Sequence, residues 1–187
     1  MENFHALYYQ HPYVKEFNAS VIACTKTEHG YAVELSDTAF YPEGGGQPGD
    51  KGSLIPSGHT DEPICILNTQ LIDGHIIHSA DKDIPPGTPV HGILDWVART
   101  DNMQGHSGEH ILTGILYQTY GYENIGFHMG SDCVTIDASG PLTEDQVAVL
   151  EERANEIVRE NLPIQESFPT EKERQTLQYR SKKELSG

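Results

Sequence analysis

The sequence predicts an α+β protein, with a β-rich first part over residues 1–90 and a mixed α+β part over residues 91–187. Two observations carry this division. Up to residue 90, apolar and polar residues alternate between clusters of Gly, Pro and Asp; beyond it, apolar residues recur three and four apart behind helix-capping signals. A third observation, several short strands at close spacing, points to a small barrel or sandwich in the first part.

The elements follow in order. Ser20 to Glu28 and Tyr31 to Leu35 read as strands around a Glu28-His29-Gly30 turn. Ile64 to Ile72 and His75 to His78 flank Asp73-Gly74, the dipeptide that accepts the positive φ angles of a tight hairpin turn. Val90 to Trp96 reads as a further strand after the Pro85-Pro86-Gly87 break. Asp101 and Gln104 resemble a capping box. Behind them Met103, Ile111, Leu112, Ile115 and Leu116 recur at helical spacing up to Gly121. Cys133 to Asp137 alternates like a strand. Thr143 with Gln146 opens a helix expected to run to about Glu160, and Thr170 with Glu173 opens a shorter one.

Composition narrows the function. The 28 Asp and Glu outnumber the 12 Lys and Arg, for a formal net charge of −16. Such a chain is a poor candidate for gripping nucleic acid by broad phosphate neutralisation. Basic residues near the end (Lys172, Arg174, Arg180, Lys182 and Lys183) are interleaved with Glu and read as a solvated face. No apolar run is long enough to cross a membrane, and MENFHALYYQ lacks the basic and apolar regions of a secretory signal. The 3 cysteines, Cys24, Cys65 and Cys133, are widely spaced, so a disulfide framework is not expected and a reducing cytoplasm is. Cys133 is expected to be a small buried hydrophobe of its strand.

Two motifs carry chemistry. In His106-Ser107-Gly108-Glu109-His110 the imidazoles stand at i and i+4, one above the other on a helix, where both can reach one metal ion. Two polar residues on a solvated helix face would give the same pattern. The pentapeptide also matches H-x-x-E-H, the inverted zinc-protease pattern with Glu109 as base, although no carboxylate among Glu166 to Glu173 stands out as the further ligand. Gly105 and Gly108 each weaken a helix, which suggests close approach of another group to its backbone. The second motif is Tyr41-Pro42-Glu43-Gly44-Gly45-Gly46-Gln47-Pro48-Gly49-Asp50, a loop. Its glycines admit a ligand close to the backbone or serve a sharp crossing between strands. It matches neither common nucleotide-binding pattern and has no phosphate-binding Lys.

Together, Phe40 to Asp50, Asn102-Met103-Gln104, the His106 to His110 pentapeptide, Gly126-Phe127-His128-Met129-Gly130 and the Val134 to Asp137 strand resemble the editing part of alanyl-tRNA synthetase. They also resemble the free-standing AlaX-type trans-editing proteins. The resemblance spans essentially the whole chain. It implies a β-barrel like the second domain of translation factors, followed by an α+β editing domain shared with threonyl-tRNA synthetase. It implies hydrolysis of the ester joining Ser or Gly to tRNA specific for alanine. It assigns zinc ligation to His106 and His110, places Gly44, Gly45, Gly46 and Gln47 beside the editing pocket or the tRNA end, and lines the aminoacyl pocket with His128, Ser131 and Thr135. Ser131 and Thr135 are the hydroxyls expected to meet a serine substrate.

One departure matters. The family completes its zinc site with a downstream C-x-x-x-H, and this chain contains none, so it is expected to stop short of those ligands and to be inactive as it stands. Two His ligands alone hold zinc poorly. Glu109 lies about 100° around the helix from His110, need not face the metal, and is not assigned as the base. Three readings stand: a zinc-dependent editing hydrolase, an inverted-motif metalloprotease, and a non-catalytic tRNA-binding module.

Overall fold

A computed structural model describes residues 5–58, 62–130, 132–165, 167 and 169–177. Its elements run β1 (His5–Ala6), α1 (Leu7–Gln10), β2 (Glu16–Thr27), β3 (Gly30–Leu35), β4 (Asp37–Thr38), β5 (Gly52–Pro56), β6 (Ile64–Ile72), β7 (His75–Ala80) and β8 (Pro89–Leu94). They continue with α2 (Trp96–Tyr120), β9 (Asn124–Met129), β10 (Val134–Ala138), α3 (Glu144–Glu160) and α4 (Glu171–Arg174). The class is α+β. Six strands close into a barrel in the order β2-β3-β7-β6-β5-β8, every neighbour antiparallel. Closure leaves no free sheet edge in that layer. The short β1 and β4 pair in parallel outside it.

Alternation builds the barrel. Ile76, His78 and Ala80 of β7 and Val90, Gly92 and Leu94 of β8 point inward while their neighbours face outward. The expected turn at Asp73-Gly74 is present, with φ of 51° and 85°. Phe17, Val33, Leu35, Phe40, Leu54 and Ile66 fill the centre, and Phe40 stands edge-on to Phe17 at 5.5 Å between ring centroids.

Among the polar side chains buried with that core is a histidine. His78 is fully buried; its Nδ1 donates to Val33 O at 2.9 Å and its Nε2 accepts from Thr38 Oγ1 at 2.9 Å. Both nitrogens are satisfied only in the neutral ring, and burial pushes the pKa down to about 4. A depressed folded-state pKa makes His78 stabilising above its unfolded value near 6.5, and that contribution fades as pH falls from 6.5 towards 4. The expected loss is on the order of 3 kcal/mol, read from urea unfolding across that window. A His78→Gln variant should lack this part of the pH slope; an equal slope in both proteins would refute the assignment.

The second part differs from expectation at its start. Trp96, expected in a strand, opens α2, and the helix begins five residues before the Asp101 box. Asp95 is the real cap, its carboxylate accepting from Ala98 N at 3.1 Å, so Asp101 and Gln104 lie inside the helix. The Lys15 ammonium lies 5.0 Å from the Trp96 ring centroid. At the other end α2 stops at the expected Gly121, with φ of 70°. The capping boxes at Thr143 and Thr170 form as read, and α3 ends at Glu160. Ile115 and Leu116 of α2 meet Leu150 of α3 in a second, smaller core.

β9 and β10 form an antiparallel hairpin against α2, and β9 was not foreseen as a strand. Neither was β5. Cys133 is exposed, contrary to expectation, because it sits in the connection ahead of β10, where its carbonyl accepts from Gly130 N at 3.0 Å. Lys172 and Arg174 lie on α4, whereas Arg180, Lys182, Lys183 and Glu166 fall outside the described residues. Among the described residues no helix is long and apolar enough to cross a membrane.

Candidate functional site

The Gly-rich loop is pinned to the barrel on one side and to α2 on the other. Asp50 closes it by accepting from Tyr41 N at 2.8 Å, and Asp50 is also ion-paired with the buried Arg99 of α2. Within the loop, Gly44 and Gln47 exchange both backbone hydrogen bonds at 3.1 Å, with Gly45 and Gly46 between them at φ of 61° and 88°. Two consecutive positive φ angles define a tight I′ turn, which only glycines adopt freely. Gly46 has a second constraint: a Cβ there would stand 2.5 Å from Phe127 O. The turn is therefore pressed against β9, and Met129 N donates to Gly46 O at 3.0 Å.

That docking brings the two motifs together. Gln47 is buried, and its Oε1 accepts from His106 Nδ1 at 2.7 Å. With the Nδ1 proton so engaged, the lone pair of His106 resides on Nε2. The His106 and His110 rings stack at 5.0 Å with planes 16° apart, as their i, i+4 spacing dictates. Phe127 also packs on His106, with 5.4 Å between ring centroids. Burial and the adjacent His110 lower the His106 pKa, and Glu109 opposes them. The neutral imidazole, which is the metal-binding form, is thereby favoured.

Glu109 joins the pair despite its offset. Its Oε2 lies 3.4 Å from His110 Nδ1, while its Oε1 accepts from Asn124 Nδ2. A β-bulge at Ile125 turns Asn124 onto the α2 face of the hairpin, since Ala138 pairs with Asn124 and Asp137 with Gly126. Donor atoms of His106, Glu109 and His110 all lie within 4.8 Å of one another, a group that could hold a metal. Two imidazoles and a carboxylate suit zinc, which takes such ligands at about 2.0–2.2 Å.

The other expected residues are placed elsewhere. Gly44 and Gly45 are exposed on the turn, and a Cβ at either would meet nothing within 4 Å. His128 and Thr135 are cross-strand partners on the hairpin face opposite Phe127 and Met129, so they face solvent rather than the His pair. Ser131 lies outside the described residues. The two helical glycines separate: a Cβ on Gly105 would meet Met129 Cε at 2.9 Å, whereas Gly108 has open space above it. Asn124 and Phe127 were not singled out for the site. The period-two alternation of Ile125, Phe127 and Met129 was the available signal for the strand, and the bulge masked it at Asn124.

No protein-family profile matches the chain. Individual proteins do. It is 36% identical over 161 residues to the alanyl-tRNA editing protein AlaX-L of Pyrococcus horikoshii, covering 84% of this chain and 39% of that protein. It is 31% identical to the alanyl-tRNA editing protein Aarsd1 of Bos taurus, over 81% of this chain and 36% of that one. Over most of its length the chain is similar to the AlaX-type alanyl-tRNA editing proteins. The alanine–tRNA ligase of Thermococcus kodakarensis is 38% identical over 84% of the chain, which spans 17% of that enzyme. The chain thus spans well under half the length of the relatives it matches, and the AlaX-type likeness covers the barrel, the Gly-rich turn and the His pair together.

Proposed function

We propose that this AlaX-type chain serves in a hydrolase that removes a wrong amino acid, serine or glycine, from tRNA specific for alanine. The observation that carries the reading is the contact of Gln47 with His106, which puts the Gly-rich turn and the His pair of an editing-type sequence at one place. In this reading residues 1–90 are a translation-factor-like barrel that presents the loop, residues 91–187 are the editing part shared with threonyl- and alanyl-tRNA synthetases, and the protein works in the cytoplasm.

His106 and His110 would hold zinc, with Glu109 as a third donor. When bound, zinc supplies a Lewis acid able to polarise a carbonyl or acidify a water. The chain's own residues do the positioning. Gln47 fixes the His106 ring and its tautomer, as second-layer partners of metal-binding His do, and Asn124 holds Glu109 in place. An aminoacyl ester is already activated, so placing it beside these groups supplies most of what hydrolysis needs. Because His128 and Thr135 face away from the pair, the reacting ester is assigned to the side of Gln47, His106 and Phe127.

The test is release of serine from seryl-tRNA for alanine by the protein, with alanyl-tRNA spared. Seryl-tRNA left intact by folded, zinc-loaded protein would overturn the reading. The inclusion of Glu109 in the cluster also suits an inverted-motif hydrolase, which predicts instead peptide cleavage abolished by Glu109→Gln.

A further inference from the structure

An open cavity of about 570 Å³ lies on the far side of the Gly-rich turn, between α1, the start of the loop and the end of the β6–β7 hairpin. Its wall is a run of tyrosines. Tyr9, 60% exposed, has its ring centroid 4.7 Å from that of buried Tyr8, and Tyr8 stands edge-on to Tyr41 at 4.8 Å. Behind Tyr41, the guanidinium of buried Arg99 lies 5.7 Å from the ring. The exposed Tyr9 ring is thus the outermost of a packed tyrosine group, tilted 54° against Tyr8. Leu71, Glu43 and Gly44 complete the rim. Both Glu43 oxygens are set by neighbours, Asn68 at 2.9 Å and Gln70 at 2.7 Å, which keep its carboxyl below the usual carboxylate range.

Among the described residues no Lys or Arg lines this cavity, and Arg99 is already paired with Asp50, so these residues are not built for phosphate. An aromatic platform beside an ionised acceptor instead suits a flat, neutral ring bearing an exocyclic amino group. Cytosine and adenine have that chemistry, and stacking on tyrosine needs no cationic surface. It offers a chain of net charge −16 a way to hold nucleic acid without neutralising phosphates. The position is apt as well. Gly44 lines the cavity and Gln47, at the other end of the same tight turn, touches His106; the ends of such a turn lie within about 7 Å.

We propose that this tyrosine-walled cavity binds an unpaired cytosine or adenine base of the single-stranded tRNA 3′ end, stacked on Tyr9 with Glu43 accepting from the amino group, while the terminal ester reaches the His pair. The inference rests on the editing reading above, since it takes the ligand to be tRNA.

The test is fluorescence anisotropy at fixed salt with two labelled RNAs. One is a stem with a 3′ strand ending cytidine-cytidine-adenosine; the other is the same stem with that strand abasic. The protein should bind the first at least about tenfold more tightly, the effect of losing one stacked base. Tyr9→Ala, at an exposed position, should abolish that preference, and Tyr9→Phe, which keeps the ring, should retain it. Equal affinity of parent and Tyr9→Ala for the first RNA would overturn the base site and leave the editing reading intact. Failure of the parent to bind either RNA would overturn both.

Discussion

Arg99→Ala should cost about 3–5 kcal/mol of folding stability, the usual consequence of removing one partner from a buried ion pair. Arg99 ties three segments together. Nη1 meets the Asp50 carboxylate and Ala39 O at 3.3 Å, and Nη2 reaches Pro12 O at 3.4 Å. Without the guanidinium, Asp50 would stay buried with the Tyr41 amide as its carboxylate's partner among the described residues, where its Oδ1 has none even in the intact protein. Burial already pushes the Asp50 carboxyl up, against the pull of Tyr41 N–H and Arg99. Thermal unfolding of Arg99→Ala should therefore begin on the order of 10 °C lower for a chain of this size. The double variant Asp50→Asn with Arg99→Met removes both charges and should lie closer to the parent, because the two sites are coupled. If Arg99→Ala melts within about 2 °C of the parent, the pair is not what locks the loop to α2.

His106→Ala and His110→Ala should each weaken zinc binding by at least about 100-fold, measured by competition with a chromophoric chelator. In the proposed site each would remove a direct ligand from a group with three donors among the described residues, and even loss of a second-layer partner costs about 10- to 100-fold. Gln47→Ala should show that smaller effect, because it frees the His106 ring without deleting a nitrogen. The same order should appear in serine release, with both His variants reduced by more than about 100-fold and Gln47→Ala less. Zinc binding unchanged in both His variants would refute the metal site, whatever the activity.

The strongest local signals in the sequence were structural punctuation. The hairpin at Asp73-Gly74, the boxes at Thr143 and Thr170 and the stop at Gly121 depend on neighbours in sequence, and each is found where the sequence places it. The start of α2 differs because Asp101 with Gln104 resembles a box, whereas the chain leaves β8 at Leu94 and turns helical at once, which makes Asp95 the cap. β5 and β9 escaped because Gly52 and Gly126 dilute their propensity, while partners on β6, β8 and β10 supply the ladder hydrogen bonds. Cys133 was placed inside by its hydrophobic character, but its position one residue before β10 leaves it in solvent.

By itself the sequence determined the local and nearly local features: an α+β class, a strand-rich first part, a His pair one helical turn apart and a glycine-rich tight crossing. Spacing along one element suffices for those, since i, i+4 stacking and positive-φ turns need no distant partner. Only the tertiary structure decided what these features do for one another. Gln47 and His106 stand 59 positions apart in the chain and meet because the Asp50–Arg99 pair seats the loop on α2. The bulge at Ile125 brings Asn124 to Glu109, while ordinary strand alternation turns His128 and Thr135 the other way. Such long-range contacts are set by how barrel, helix and hairpin pack, and no period within a single element encodes them.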